Sequence, residues 1–125
     1  MTIDPRENNM SPKLRCYIAG PMRGYAEFNF PAFDRASEAA AACGYVPVSP
    51  ADLDREMGFD ERRDEPSRAD LRAMIVRDVV ELSKCDCIAL LPGWERSSGV
   101  AVELAVAKFL GLKVLDAEMF LEKEV

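Results

Sequence analysis

The sequence predicts an α/β fold, a single-domain doubly wound parallel sheet of the Rossmann-like or flavodoxin-like kind, with four to five strands in the order 2-1-3-4. Three observations carry this expectation. Cys85 to Leu91 is a continuous apolar run broken only by Asp86, the pattern of a central strand covered on both faces. Helical spacing lies on either side of it, with Leu71, Met74, Ile75, Val79 and Leu82 forming one stripe before it and an almost wholly apolar helix from Val100 to Leu110 after it. Strand and helix patterns alternate along the rest of the chain, which calls for right-handed crossovers between parallel strands. At 125 residues the chain is long enough for one real core and too short for two.

Taken in order, residues 1–13 are polar and read as a flexible N-terminus ahead of one domain over 14–125. Leu14 to Ala19 is a short β-prone run stopped by Gly20-Pro21, and Met22 to Tyr25 forms a loop. Asn29 is placed as a capping side chain, with Pro31 in the first turn of an alanine-rich helix from Ala32 to Cys43 that Gly44 ends. Tyr45-Val46-Pro47-Val48 is a second strand, and its proline sends it to the sheet edge. Ser49 to Pro66 is charged and aperiodic, so it reads as a long loop with at most one helical turn in Ala51 to Met57. Ser67 to Ser83 is the next helix. Strand three and the apolar helix follow, then Gly111, a last strand at Lys113-Val114-Leu115 and a short helical tail.

Composition excludes several classes of function. Sixteen Lys and Arg against 22 Asp and Glu give a net charge of -6, which argues against a nucleic-acid polymer or an anionic membrane as partner and leaves room for a small phosphorylated ligand at a local anion site. The N-terminus lacks the apolar core of a signal peptide, and no run approaches a membrane span, so a cytoplasmic protein is expected. The four cysteines, Cys16, Cys43, Cys85 and Cys87, form no CxxC pair and there is no histidine, so reduced core thiols, no metal and no cofactor are expected. Without histidine, Ser-His-Asp and Cys-His mechanisms are excluded, and neither GxxxxGK nor GxGxxG is present. Catalysis here has to rest on carboxylates, tyrosines, arginines and backbone dipoles.

Two acids stand out. Glu103 is the only acid between Val100 and Leu110, and Asp78 falls inside the apolar stripe of the preceding helix. A carboxylate among apolar neighbours is hydrogen-bonded, paired or used. In a 2-1-3-4 sheet, ligands bind beyond the carboxyl ends of strands one and three. There Gly20, Met22, Arg23 and Gly24 face Ser97 and Gly99 across a cleft, and the arginine and the helix N-terminus suit a phosphate or another anion. Gly99, four residues before Glu103, leaves room for a ligand above the carboxylate. Tyr17, near the end of strand one, is within reach to donate a hydrogen bond to Glu103. Two carboxylates and a phenol in one cleft are the groups that split a glycosidic bond.

Each candidate has a plainer reading beside it. Glu103 also reads as a capped acid in the first turns of a helix, with the helix dipole favouring its charged form and burial opposing it. Asp78 also reads as an arginine partner, Tyr17 as a core residue, and Ser97 or Ser98 as the plain helix cap. Tyr25, Phe28, Phe30 and Trp94 are the aromatics that would wall a base-stacking pocket, but aromatic residues beside a helix start read more readily as core or hydrophobic staple, and Trp94 alone is taken as a base contact. Asp52 and Asp54 read as helix-start and solvent groups rather than metal ligands.

These residues resemble those of the nucleoside 2-deoxyribosyltransferase superfamily, which includes the 2'-deoxynucleoside 5'-phosphate N-hydrolases. The resemblance covers Leu14 to about Leu115 and rests on Tyr17-Ile18-Ala19-Gly20-Pro21-Met22-Arg23-Gly24, on Asp78, and on Ser97-x-Gly99-x-x-x-Glu103. The wording of the first stretch and of Leu90-Leu91-Pro92-Gly93-Trp94 is similar to that of small uncharacterised phage and bacterial members. The resemblance implies Glu103 as nucleophile, Tyr17 as its orienting partner and Asp78 as the residue that contacts and helps to protonate the base. A serine six residues before the glutamate resembles the hydrolase branch, where that position touches the 5'-phosphate. The expected activity is therefore an N-glycosidase for (deoxy)nucleoside 5'-monophosphates working through a covalent glycosyl-enzyme intermediate. Base exchange between nucleosides and a non-catalytic nucleotide-binding module are the alternatives. The apolar last helix suggests a homodimer or larger homo-oligomer.

Overall fold

The computed structural model describes residues 13–122. The stretch expected to be flexible therefore lies, apart from Lys13, outside the described residues. Four strands form one parallel sheet: β1 (Arg15–Ala19), β2 (Val46–Val48), β3 (Cys87–Leu90) and β4 (Lys113–Asp116), in the order β2-β1-β3-β4. The expected order 2-1-3-4 is the one found. Register runs from Cys16 opposite Cys87 to Ala19 opposite Leu90, and Pro47 sits on the edge strand, where its missing N–H costs no internal ladder bond.

Among the described residues five α-helices connect and cover the strands: α1 (Phe30–Ala42), α2 (Pro50–Glu56), α3 (Arg68–Leu82), α4 (Ser98–Phe109) and α5 (Glu118–Glu122). Because side chains alternate across a strand, each central strand feeds two cores. Cys16 and Ile18 of β1 join Cys87 and Ala89 of β3 against Phe30, Phe33, Ala36 and Phe120. Tyr17 and Ala19 join Ile88 and Leu90 against Leu82, Val100 and Ala107. The sheet is thus covered by α1 and α5 on one face and by α3 and α4 on the other.

Three local expectations change. The charged segment after β2 contains a seven-residue helix, α2, rather than a loop with one turn. Ser49 caps it by accepting from the Ala51 amide at 3.2 Å, and Pro50 fits its first turn. Asn29 does not cap α1 with its side chain. It follows a left-handed turn in which Glu27, Phe28 and Asn29 have φ of 51°, 52° and 65°, outside the extended geometry of a capping residue. Its Nδ2 donates instead to the Pro21 carbonyl at 2.9 Å, tying the start of α1 to the loop after β1.

The stripe on α3 is only partly covered, Leu82 alone being fully buried. The apolar α4 likewise buries just Val100, Glu103 and Ala107, and leaves Phe109 88% exposed. Among the described residues no helix is long and apolar enough to cross a membrane. All four cysteines are free, three of them buried.

Candidate active site

Beyond the carboxyl ends of β1 and β3 the chain leaves a cleft of about 960 Å³, near the upper end for small-molecule sites. Its walls come from the loop after β1, the loop after β3, α3 and the segment around α2. Gly20 lets the first loop cross close to the second: a Cβ there would lie 2.7 Å from Leu91. Gly93, at φ 89°, turns the second loop in a conformation that favours glycine.

Glu103 lines this cleft although it is only 5% exposed, because α4 turns it toward the sheet beside Val100 and Ala107. The fully buried Tyr17 hydroxyl donates a hydrogen bond to Glu103 Oε2. Burial pushes the Glu103 carboxyl up to about 8 and nearby Asp78 adds to the rise, while the Tyr17 hydrogen bond and Arg77 oppose it. Desolvation is thus the largest influence on this carboxyl. Burial, with Glu103 and Asp78 nearby, also raises the Tyr17 phenol well above its ordinary value, so it stays protonated and remains a donor.

Asp78 lines the same cleft from α3. Its Oδ1 accepts from Arg77 Nη2 at 2.5 Å and from Nε at 3.1 Å. The same Nη2 donates to Asp54 Oδ1 at 2.6 Å, and Asp54 is 4% exposed. Burial raises Asp78 to about 6, Asp54 adds to the rise, and Arg77 opposes it. Asp54 is also raised, by burial first, against the pull of Arg77. One guanidinium thus serves two carboxylates at the cleft floor.

Asp54 corrects the sequence reading, which put it with Asp52 in solvent. Asp52 is exposed, but Asp54 lies on the inward face of α2 with Pro50 and Ala51. That spacing of i, i+1 and i+4 identifies the face once a helix is recognised at Ser49-Pro50. Arg77, singled out by no motif, was missed with it. Adjacent residues do not share a helix face, and only the folding back of its long side chain brings it to Asp78.

The remaining candidates divide. Gly20, Met22, Arg23, Ser97 and Gly99 all line the cleft. Ser97 is also the cap of α4, accepting from the Val100 amide at 3.2 Å, which leaves its hydroxyl proton for a ligand. A Cβ on Gly99 would meet only Ser97 Oγ, at 3.8 Å, so the space beside it is open. Gly24 is exposed at φ 83° with nothing near its Cβ position, and does not line the cleft. Trp94 does not line it either: at the start of a short 3₁₀ turn (Trp94–Arg96) it packs against the core around Tyr17 and Leu90. The aromatic wall is made instead by Phe28, Phe30, Phe33 and Phe59, with Phe59 5.5 Å from Phe28 between ring centres, and by Tyr25. Among the described residues no group of three or more side chains is placed to hold a metal ion.

Comparison with known proteins agrees with this architecture. The chain is similar to a solved structure of a 2-deoxyribosyltransferase from the psychrotolerant bacterium Bacillus psychrosaccharolyticus, with a TM-score of 0.57 and 20% identity over 80% of this chain and 69% of that one, a likeness of fold. No curated protein matches it. Residues 14–116 match the family DUF4406, described as a domain of unknown function, and the chain belongs to that family.

Proposed function

We propose that the protein is a retaining N-glycosidase that cleaves the base-sugar bond of (deoxy)nucleoside 5'-monophosphates. The observation that carries this reading is the convergence on one cleft of Glu103, held through Oε2 by Tyr17, and Asp78, held through Oδ1 by Arg77. Each carboxyl group has one oxygen anchored, leaving the other for the substrate. Likeness in fold to a 2-deoxyribosyltransferase supports chemistry at the same kind of bond.

In the first step, a Glu103 oxygen attacks the anomeric carbon. The base departs with the electron pair of the glycosidic bond and takes its proton from Asp78. In the second, water attacks the same carbon, releases the Glu103 carboxylate and gives its proton to Asp78, which restores the starting state. The 5'-phosphate sits at Arg23, Ser97 and Gly99, where the N-terminus of α4 favours an anion.

With Asp78 near 6 and Glu103 near 8, the pair holds one proton between those values, and in the ligand-free protein it rests chiefly on Glu103. The reaction therefore needs that proton to pass from Glu103 to Asp78 as the substrate binds, before the carboxylate attacks. The rate constant kcat/KM is expected to fall below about pH 6, where both carboxyls are protonated, and above about pH 8, where both are ionised.

The test is chromatography after incubation with nucleosides and their 5'-monophosphates, with and without a free acceptor base. Free base from a monophosphate supports the reading. A new nucleoside formed only with acceptor shows base exchange instead, and no change in any substrate ends the enzyme reading.

A further inference from the structure

We infer that the cleft is built for a nucleotide with at least two phosphoryl groups, the second held by Arg68 and Arg72 of α3. The inference rests on the placement of the first phosphate proposed above, and extends it to residues which that reading leaves without a task.

The charge of the cleft is opposite to that of the chain. The molecule carries a net charge of -6, yet four of its eleven arginines, Arg23, Arg68, Arg72 and Arg96, line this one cavity, and none of the four lysines among the described residues does. The acids lining it are Asp54, Asp78 and Glu103, of which Asp54 and Asp78 share Arg77 and Glu103 is bonded to Tyr17. Among the described residues none of the four lining arginines is paired with a carboxylate. Arginine in preference to lysine is the choice for gripping phosphate oxygens in pairs.

The four fall into two groups. Arg23 and Arg96 come from the loops after β1 and β3, beside Ser97 to Gly99 at the N-terminus of α4. Arg68 and Arg72 stand one turn apart at the start of α3, on the face that also carries Ile75 and Asp78. At about 1.5 Å per residue, Ser97 lies about 9 Å along α4 from Glu103, Arg72 about 9 Å along α3 from Asp78, and Arg68 about 15 Å. Both helices begin at the mouth of the cleft and run inward to the carboxylates. A phosphate at the start of α4 therefore has the α3 arginines across the mouth from it, placed for a second phosphoryl group leading outward.

The experiment is calorimetric titration of the full chain carrying Glu103→Gln, which prevents turnover, with one nucleoside 5'-monophosphate, its 5'-diphosphate, a dinucleotide joined by pyrophosphate, and inorganic pyrophosphate. The diphosphate or the dinucleotide is expected to bind about tenfold tighter than the monophosphate or better, as for one added charge-assisted contact. In Arg68→Ser/Arg72→Ser that ratio is expected to fall to about one, and Arg23→Ser to weaken mono- and diphosphate alike. Arg72→Gln alone gives a partial loss and serves if the double variant fails to fold by circular dichroism. A ratio near one in the parent protein, a ratio that both α3 variants leave unchanged, or pyrophosphate alone binding as tightly as the nucleotides overturns the inference. The two proposals fail separately. Phosphate-dependent binding without base release removes the glycosidase alone, and base release with a ratio near one removes the second phosphate site alone.

Discussion

Glu103→Gln is expected to stabilise the ligand-free protein at alkaline pH while abolishing turnover. The carboxyl rises from an ordinary 4.5 to about 8 in the folded chain, chiefly through burial. Below pH 4.5 it is protonated folded and unfolded alike, and the neutral group contributes its full share of stability. As pH rises from there, the unfolded chain ionises while the folded chain does not, so stability falls, and the loss is complete once the pH passes the folded value of about 8. At about 1.4 kcal/mol per pH unit, the loss is on the order of 5 kcal/mol. That is a large part of the ~5–15 kcal/mol that holds a domain of this kind together. Glutamine keeps an acceptor for Tyr17 and has no proton to lose. Urea denaturation of both proteins at pH 5, 7 and 9 measures the effect as a difference, in which Asp78 and every other titrating group cancels to first order. The gap between the two is expected to widen by several kcal/mol from pH 5 to pH 9. Parallel pH dependences would mean that Glu103 ionises freely in the folded protein, and would refute the claim that burial governs it.

Tyr17→Phe removes the donor that lowers the Glu103 carboxyl, so the alkaline limb of the pH-rate profile, at about 8, is expected to move upward by about one to two units, the equivalent of a hydrogen bond to a charged group. An unmoved limb with a lower plateau would reduce Tyr17 to packing. Asp54→Ala breaks a buried pair and leaves Arg77 with Asp78 alone, a loss of about 3 kcal/mol by urea denaturation. The same variant lowers the titration midpoint of Asp78, followed by carbon NMR of labelled aspartate, because the Asp54 charge that raises it is gone. Gly20→Ala places a methyl group 2.7 Å from Leu91 and is expected to cost about 1–3 kcal/mol, read as a fall in melting temperature.

Fold and site were not equally legible in the sequence. Strand order followed from the alternation of elements and from the contrast between the apolar run at Cys85 to Leu91 and the proline in the edge strand, both local signals. Glu103 and Asp78 stood out because an acid in an apolar helix face breaks a periodicity that has a physical cause. Asp54 was hidden by the charges around it. Asp52, Arg55 and Glu56 give α2 no visible stripe, and its buried face rests on Pro50, Ala51 and one acid. Arg55 is itself a hub, reaching Asp34 at 2.8 and 2.9 Å and Glu61 at 2.8 Å while lying over Phe30. No spacing rule brings residues 34 and 61 to 55. Trp94 was misjudged because aromatic identity gives no direction, and the 3₁₀ turn that aims it at the core depends on the positive φ at Gly93.

Tyr17 sits in the middle of the sheet, its ring among Leu82, Ile88, Leu90 and Val100 and its hydroxyl on Glu103. The ring is therefore a lever whose fulcrum is ordinary hydrophobic packing. A methyl group removed at Ile88 is expected to shift the phenol and so the acidity of the carboxyl at the cleft, with no polar residue altered. On the proposed reaction, the apolar interior is then as much a part of the chemistry as the carboxylates it surrounds.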